Sequence, residues 1–408
     1  MKYYILIILA IFTLKTECQN LISGVVIDTL GESVPYASVH YNNSNIGVIT
    51  NTEGRFSIQK KNTSELIVRC LGYQRQTLNS DTIHGTLCVI LKPAIIELDE
   101  VKVMPVDVEN IMKQVLKNLP KNYPKKKVKL NGLYKQAEIE NNYLNNLFES
   151  DVNIYLTGMG KLKVPKVETK IINYEYYKAP PSVFREPQGY LYLICPYFHP
   201  MLFQIRDYQF DYDYQFDYEG AEVIKINISP KNIDKTKHQY KGFLCIDKET
   251  KGILYMDYSL IPNEIEMIRA HGILQRREKS RTTVLFSKAK PYFKLEYIVD
   301  QGLATAKMNE AHYIRHSEEI DKLVKENPKL AYLKDVEKID TLFSIFNFFA
   351  KDVNYNPNKY EPDELTFEEI IKQSKGKPFD KSKDYLNNFV VETKEEKLFK
   401  ERVISNTP

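Results

Sequence analysis

Three residues offer a metal-binding geometry. In HYIRHSEE, His312, His316 and Glu319 fall at i, i+4 and i+7. That spacing is one face of a helix and could supply ligands to a divalent ion. The zinc-protease pattern HExxH is not met, because Tyr313 stands where the Glu belongs. A charged, solvent-facing helix explains the same spacing and is the reading adopted. No metal and no other cofactor is expected.

A second constellation is DYQFDYDYQFDYEG, residues 207–220. Tyr208, Phe210, Tyr212, Tyr214, Phe216 and Tyr218 take every even position, and Asp or Gln every odd one up to 217. Such period-two alternation predicts a strand with its rings on one face and its polar groups on the other. The carboxylates Asp207, Asp211, Asp213 and Asp217 could bind Ca²⁺. Alternate residues of one strand lie about 6.5–7 Å apart, however, and a Ca²⁺ cage needs bent backbone with a mid-loop Gly. A solvated strand face is expected instead. The six rings could stack sugars, hold an acyl chain, or form core, and they are the candidate ligand-binding residues.

Other chemistry is sparse. The chain has no GxSxG, no Gly-rich phosphate loop and no CxxC. A Cys–His nucleophile needs proximity only in space, and Cys195 with His199 is the nearest such pair in sequence. No catalytic residue is assigned, and the protein is expected not to be an enzyme.

The 408 residues suffice for two or three domains. A net charge of +4 is too balanced to imply nucleic acid as a partner. The start of the chain reads as a secretory signal over residues 1–18, with Lys2 ahead of the apolar run YYILIILAIFTL. That run is shorter than the roughly 20 residues of a spanning helix. Cleavage after Cys18 leaves Gln19 first. Lipidation of Cys18 is the alternative, and the preceding KTE argues against it. Four cysteines then remain: Cys70, Cys88, Cys195 and Cys245. An exported chain permits disulfides. Cys70 with Cys88 is the pair to test, and buried free thiols fit equally.

Residues 19–93 are short apolar runs separated by turns, the pattern of a small β-sandwich. Gly54 and Gly72 sit where tight turns need positive φ, and Asn51 can bond its own turn backbone. The ordered set Gly24, Asp28, Pro35, Ala37, Gly47, Thr50, Gly54, Phe56 and Leu71-Gly72-Tyr73 resembles the carboxypeptidase regulatory-like domain. Asn51 stands where that family usually has Asp. The resemblance implies a transthyretin-like, seven-stranded, non-catalytic interaction module. HSEE at 316–319 also matches the HxxE of metallocarboxypeptidases, but that motif belongs in a catalytic α/β domain. A metallopeptidase is therefore the least favoured alternative.

ELDEVKV within the linker 94–106 resembles the segment that joins such modules to transporter plugs. The remaining chain is far too short for a barrel of about 22 strands. Residues 107–360 read as an α+β domain. A helix at 108–124 carries Ile111, Val115, Leu116 and Leu119 on one stripe and is ended by Pro120 and Pro124. A meandering antiparallel sheet follows. GFLCIDKETKGILYMDYSL resembles the hairpins of open sheets in periplasmic lipoprotein carriers. In YFKLEYIV, Phe293, Leu295 and Tyr297 are expected on one side. The segment 331–373 suggests two helices around Pro357 and Pro362, and residues 361–408 form a charged tail.

The chain is thus expected to be mainly β. It is read as an exported protein of the periplasm or outer membrane in a diderm bacterium, bound to a membrane peripherally at most. Its function is binding or scaffolding, with envelope proteins or a surface lipid or glycan as partners. A carrier holding a lipid or glycan on a curved sheet is the alternative.

Overall fold

The first strands form where apolar residues alternate. In β1 (Leu21–Asp28), Ile22, Gly24 and Val26 are buried while their neighbours face outward. It is followed by β2 (Ser38–Tyr41), β3 (Gly47–Ile49), β4 (Arg55–Gln59), β5 (Glu65–Arg69), β6 (Gln76–Asn79) and β7 (Leu87–Leu91). They make two sheets, ordered β4-β1-β7 and β3-β2-β5-β6. Val26, Val39, Tyr41, Phe56, Ile58, Leu66, Val68 and Leu91 fill the space between them. This computed structural model describes residues 21–42, 47–51, 53–61, 64–94, 106–140, 143–157, 166–178, 202, 205–269, 273–307, 321–322, 325, 341–355 and 357.

The turn before β4 needs its glycine. Gly54 has φ +69°, and a Cβ there would lie 2.2 Å from the Val26 carbonyl oxygen. Asn51 Oδ1 accepts from the backbone N–H groups of Glu53 and Arg55 at 3.0 and 2.8 Å, closing the loop. Gly72 also has positive φ, +83°.

The second region opens with α1 (Val108–Asn122), whose N-cap Asp107 accepts from Asn110 N–H. Its buried stripe is Val108, Met112, Val115 and Leu119. Pro120 lies within the last turn rather than ending the helix before it. Then come β8 (Lys127–Glu140), β9 (Tyr143–Thr157), β10 (Lys166–Lys178), β11 (Tyr208–Tyr218), β12 (Ala221–Pro230), β13 (Tyr240–Asp247), β14 (Ile253–Leu260), β15 (Glu266–Arg269), β16 (Ile273–Ser287), β17 (Lys294–Lys307) and β18 (Thr341–Asn354). They form one antiparallel sheet ordered β10-β9-β8-β18-β17-β16-β14-β13-β12-β11, with β15 beside β16. A two-residue loop joins β11 to β12. Glu219 and Gly220 both have positive φ there, as a type I′ hairpin requires. No helix among the described residues is long and apolar enough to cross a membrane.

The chain is mainly β, as expected. Besides the place of Pro120, two local expectations fail. Residues 341–354 are a strand, not helix, and lie inside the sheet between β8 and β17. The run TLFSIFNFFA carries apolar residues at both odd and even positions, so the period-two signature is missing and it reads like a helix. The second failure is the side of Leu295. It pairs with Phe286 while Tyr297 pairs with Leu285, because Glu296 is an extra residue in β17. That bulge puts Leu295 and Tyr297 on opposite faces.

Candidate binding site

Cross-strand partners share a face of the sheet, so the registers decide where the aromatic row points. Tyr208, Phe210 and Tyr212 pair with Pro230, Ile228 and Ile226. After a register shift, Gln215 pairs with Ile224, Phe216 with Val223 and Tyr218 with Ala221. β11 therefore holds one extra residue at Asp213–Tyr214, and the bulge inverts the alternation. The expectation of six rings on one face is corrected. Tyr208, Phe210 and Tyr212 share the face of Ile226 and Ile228, here called inner. Tyr214, Phe216 and Tyr218 lie on the outer face. Tyr208, Phe216 and Tyr218 are buried, while Tyr212 and Tyr214 are 39% and 47% exposed. One signal went unread in the sequence: the stretch is the hexapeptide DYQFDY written twice, 207–212 and 213–218. The bulge falls at the junction of the copies.

The inner face carries α1. Tyr123, just past the helix, packs edge-on to Phe286 at 5.4 Å between centroids and tilted to Phe293 at 5.8 Å. Its hydroxyl donates to the Ile253 carbonyl at 2.6 Å. Further along this face the lining is polar. Tyr134 donates to Gln136 Oε1, and Gln136 Nε2 and Asn146 Nδ2 donate to the two oxygens of buried Glu138. Asp300 accepts from Thr282 Oγ1 at 2.5 Å, and burial raises its carboxyl to about 6.

The outer face carries the first module. Its contact residue is Tyr36, held in the left-handed region at φ +60°, where a non-glycine residue is strained. Thr50 fixes that turn: its Oγ1 donates to the Val34 carbonyl and accepts from Ala37 N–H, both at 2.8 Å. So Thr50, Pro35 and Ala37, three positions of the family pattern, build the turn that presents Tyr36. Arg281 stacks its guanidinium 4.8 Å from the Tyr36 ring centre and donates to the Tyr36 hydroxyl at 3.1 Å. Arg281 also grips Asp257 with two bonds, at 2.9 and 2.7 Å. Tyr297 donates to the Tyr36 carbonyl at 3.3 Å. A second clamp joins Arg69 to Glu296 at 2.7 Å and to Glu219 at 3.6 Å. Beside it, burial and the Arg69 charge lower His40 to about 4.

At the module's border, with its Tyr73 close enough to Tyr214 to act on it electrostatically, the outer face stays exposed at Asp211, Asp213 and Tyr214. Lys225 Nζ lies 5.0 Å from the Tyr214 ring centre and 4.6 Å from that of Phe243. Asp213 holds the same ammonium at 2.9 Å. Each of these rings is backed by a buried one: Tyr214 by Phe216 at 5.7 Å, and Phe243 by Tyr255 at 5.6 Å. Asp211, Asn227 and Phe243 form one cross-strand row on this face. The sequence reading found Tyr214 but missed Lys225 and Phe243, since only the strand registers bring them together.

Other candidates take their places as follows. His312, His316 and Glu319 lie outside the described residues, as do the signal segment, Cys18, Cys195, His199 and the tail. Among the described residues no three His, Cys, Asp or Glu side chains converge to hold a metal ion. Cys70, Cys88 and Cys245 are free, so Cys70 is not bonded to Cys88. Burial pushes the Cys70 thiol up to about 12 and raises Cys245 as well, which makes both poor nucleophiles.

Residues 22–103 match the family model of the CarboxypepD_reg-like domain, so the first module is a domain of that family. No curated protein matches the chain. Among solved structures the chain is similar to a domain from Vibrio parahaemolyticus described as a candidate outer-membrane lipoprotein-sorting protein. Identity is 7% and TM-score 0.26, covering 66% of this chain and 100% of that one. A LolA superfamily protein from Nitrosomonas europaea matches at 8% and 0.23, covering 62% and 94%. A DUF1329 family protein from Desulfovibrio piger matches at 8% and 0.27, covering 62% and 95%.

Proposed function

We propose that this is a non-enzymatic binding or scaffold protein of the bacterial cell envelope, exported and either periplasmic or attached to the outer membrane. Its units are the module at 19–93 and the sheet domain at 107–360. The observation that carries the reading is the seam between them. The Arg281–Tyr36 contact and the Arg69–Glu296 pair hold the regulatory-like module on the outer face of the sheet. Beside it stands an open surface of rings and charges suited to contact rather than bond-breaking. The alternative carrier reading needs a free apolar face, yet across β13, β14 and β16 the inner face is covered by α1.

The test is native mass spectrometry of residues 19–408 purified from an exporting host, with a metal assay and a peptidase assay on the same sample. A chemically unaltered ligand or partner retained by the protein is the expected result. Stoichiometric zinc, with peptide hydrolysis that His316→Ala abolishes, overturns the reading.

A further inference from the structure

We infer that the outer face of β11, β12 and β13, beside the module, binds a neutral glycan, with a sugar ring stacking on Tyr214 and Phe243. The inference rests on the binding reading above and supplies its ligand class. A pyranose has an apolar face of C–H groups and a rim of hydroxyls. The site offers both complements. Tyr214 is 47% exposed and Phe243 partly exposed, and Lys225 holds both rings in place. Their buried partners Phe216 and Tyr255 set the ring planes in advance, so little freedom is lost on binding. The carboxylates of Asp211 and Asp213 and the carboxamides of Asn227 and Gln209 surround the rings on the same face. Carboxylates accept from hydroxyls, and carboxamides both donate and accept.

Other ligand classes fit less well. An acyl chain needs an enclosed apolar surface, and these rings stand on an open face among charges. Anionic ligands, nucleic acid included, meet Asp211 and Asp213, while the Lys225 charge is already held by Asp213. An extended peptide adding to the β11 edge meets the bulge at Asp213–Tyr214 and the acidic side chains, both of which disfavour strand addition.

The test is calorimetric titration of residues 19–408 with hexasaccharides of β-glucose, N-acetylglucosamine, xylose and mannose, with polygalacturonate and dodecanoate as controls. Binding of at least one neutral hexasaccharide is expected. Tyr214→Ala and Phe243→Ala should each weaken it about tenfold, the worth of one aromatic contact. Tyr214→Phe keeps the ring and should retain affinity, and Tyr212→Ala, on the inner face, should change nothing. Silence from all four hexasaccharides at millimolar concentration overturns the inference. So does binding that survives both alanine variants, or tighter binding of either control. If the sugars fail while a retained envelope partner is still found with the Tyr214→Ala protein, the scaffold reading stands and only the glycan site falls.

Discussion

The sheet is covered twice, and the two seams are built by different physics. On the inner face α1 is attached through Met112, Val115, Leu119 and the rings of Tyr123, Phe286 and Phe293. On the outer face the module is attached through Tyr36, Ile49 and Leu71, which join the sheet domain's core, and through the Arg281–Tyr36 contact and the pairs of Arg69 with Glu296 and Glu219. Apolar contact is non-directional and scales with the area removed from water. Guanidinium–carboxylate pairs demand planarity and alignment. The helix seam is therefore mainly apolar, whereas the module seam adds directional pairs, which supply orientation, to its apolar contact.

That contrast can be broken at its strong end first. Leu119→Ala empties a site that is 1% exposed on the inner seam. It should cost about 3 kcal/mol by denaturant titration, with sheet and helix unfolding together. On the outer seam, Arg281→Met leaves the Asp257 carboxylate, 8% exposed, without its grip. A loss of about 2 kcal/mol is expected, below the range for fully buried pairs because Arg281 itself is 31% exposed. The paired change Asp257→Leu with Arg281→Met should recover most of it, a rescue that no second substitution at the helix seam can imitate.

Acid probes the same contrast. Folded His40 titrates near 4 and an unfolded His near 6.5. Between those values the unfolded chain takes up the extra proton. Stability should therefore fall by roughly 1–2 kcal/mol as pH drops through that window. Asp300 acts in the opposite sense. Its folded value near 6 exceeds the ordinary 3.8, so its contribution is lost as pH rises from 3.8 to 6. Melting curves of Asp300→Asn isolate the His40 slope, and His40→Asn should flatten it. Smallest is the strain at φ +60°. Tyr36→Gly and Tyr36→Ala both delete the ring, but glycine accepts that backbone freely. The glycine variant should be more stable by about 1 kcal/mol.

Much of this was legible in the residues. The turn chemistry of Asn51, Gly54 and Gly72 is local and was read from local sequence. The stripe of α1 was legible in part: Val115 and Leu119 are buried, Ile111 and Leu116 only partly, and Val108 and Met112 complete it. The aromatic stretch was correctly a strand, yet its faces were wrong, because a single bulge leaves no trace in a perfect alternation. The β18 segment was misread for a different reason: apolar residues fall at both odd and even positions, and the period disappears. The seam itself was invisible. Tyr36 and Arg281 are 245 residues apart in sequence, and no local pattern announces such a pair.

The position of β18 has a consequence in time. Leu342 pairs with Glu140 and Asn354 with Lys129, so its partners on β8 are made more than 200 residues earlier. At ribosomal rates of about 5–20 residues per second, β8 waits on the order of 10–40 s for its neighbour. Until then the strands from β10 to β8 and those from β17 to β11 are separate half-sheets, each with a bare interior edge open to wrong partners. Closure by so distant a segment makes folding slow. A chain released or cut before residue 341 would hold most of its strands and still lack the one that makes them a single sheet.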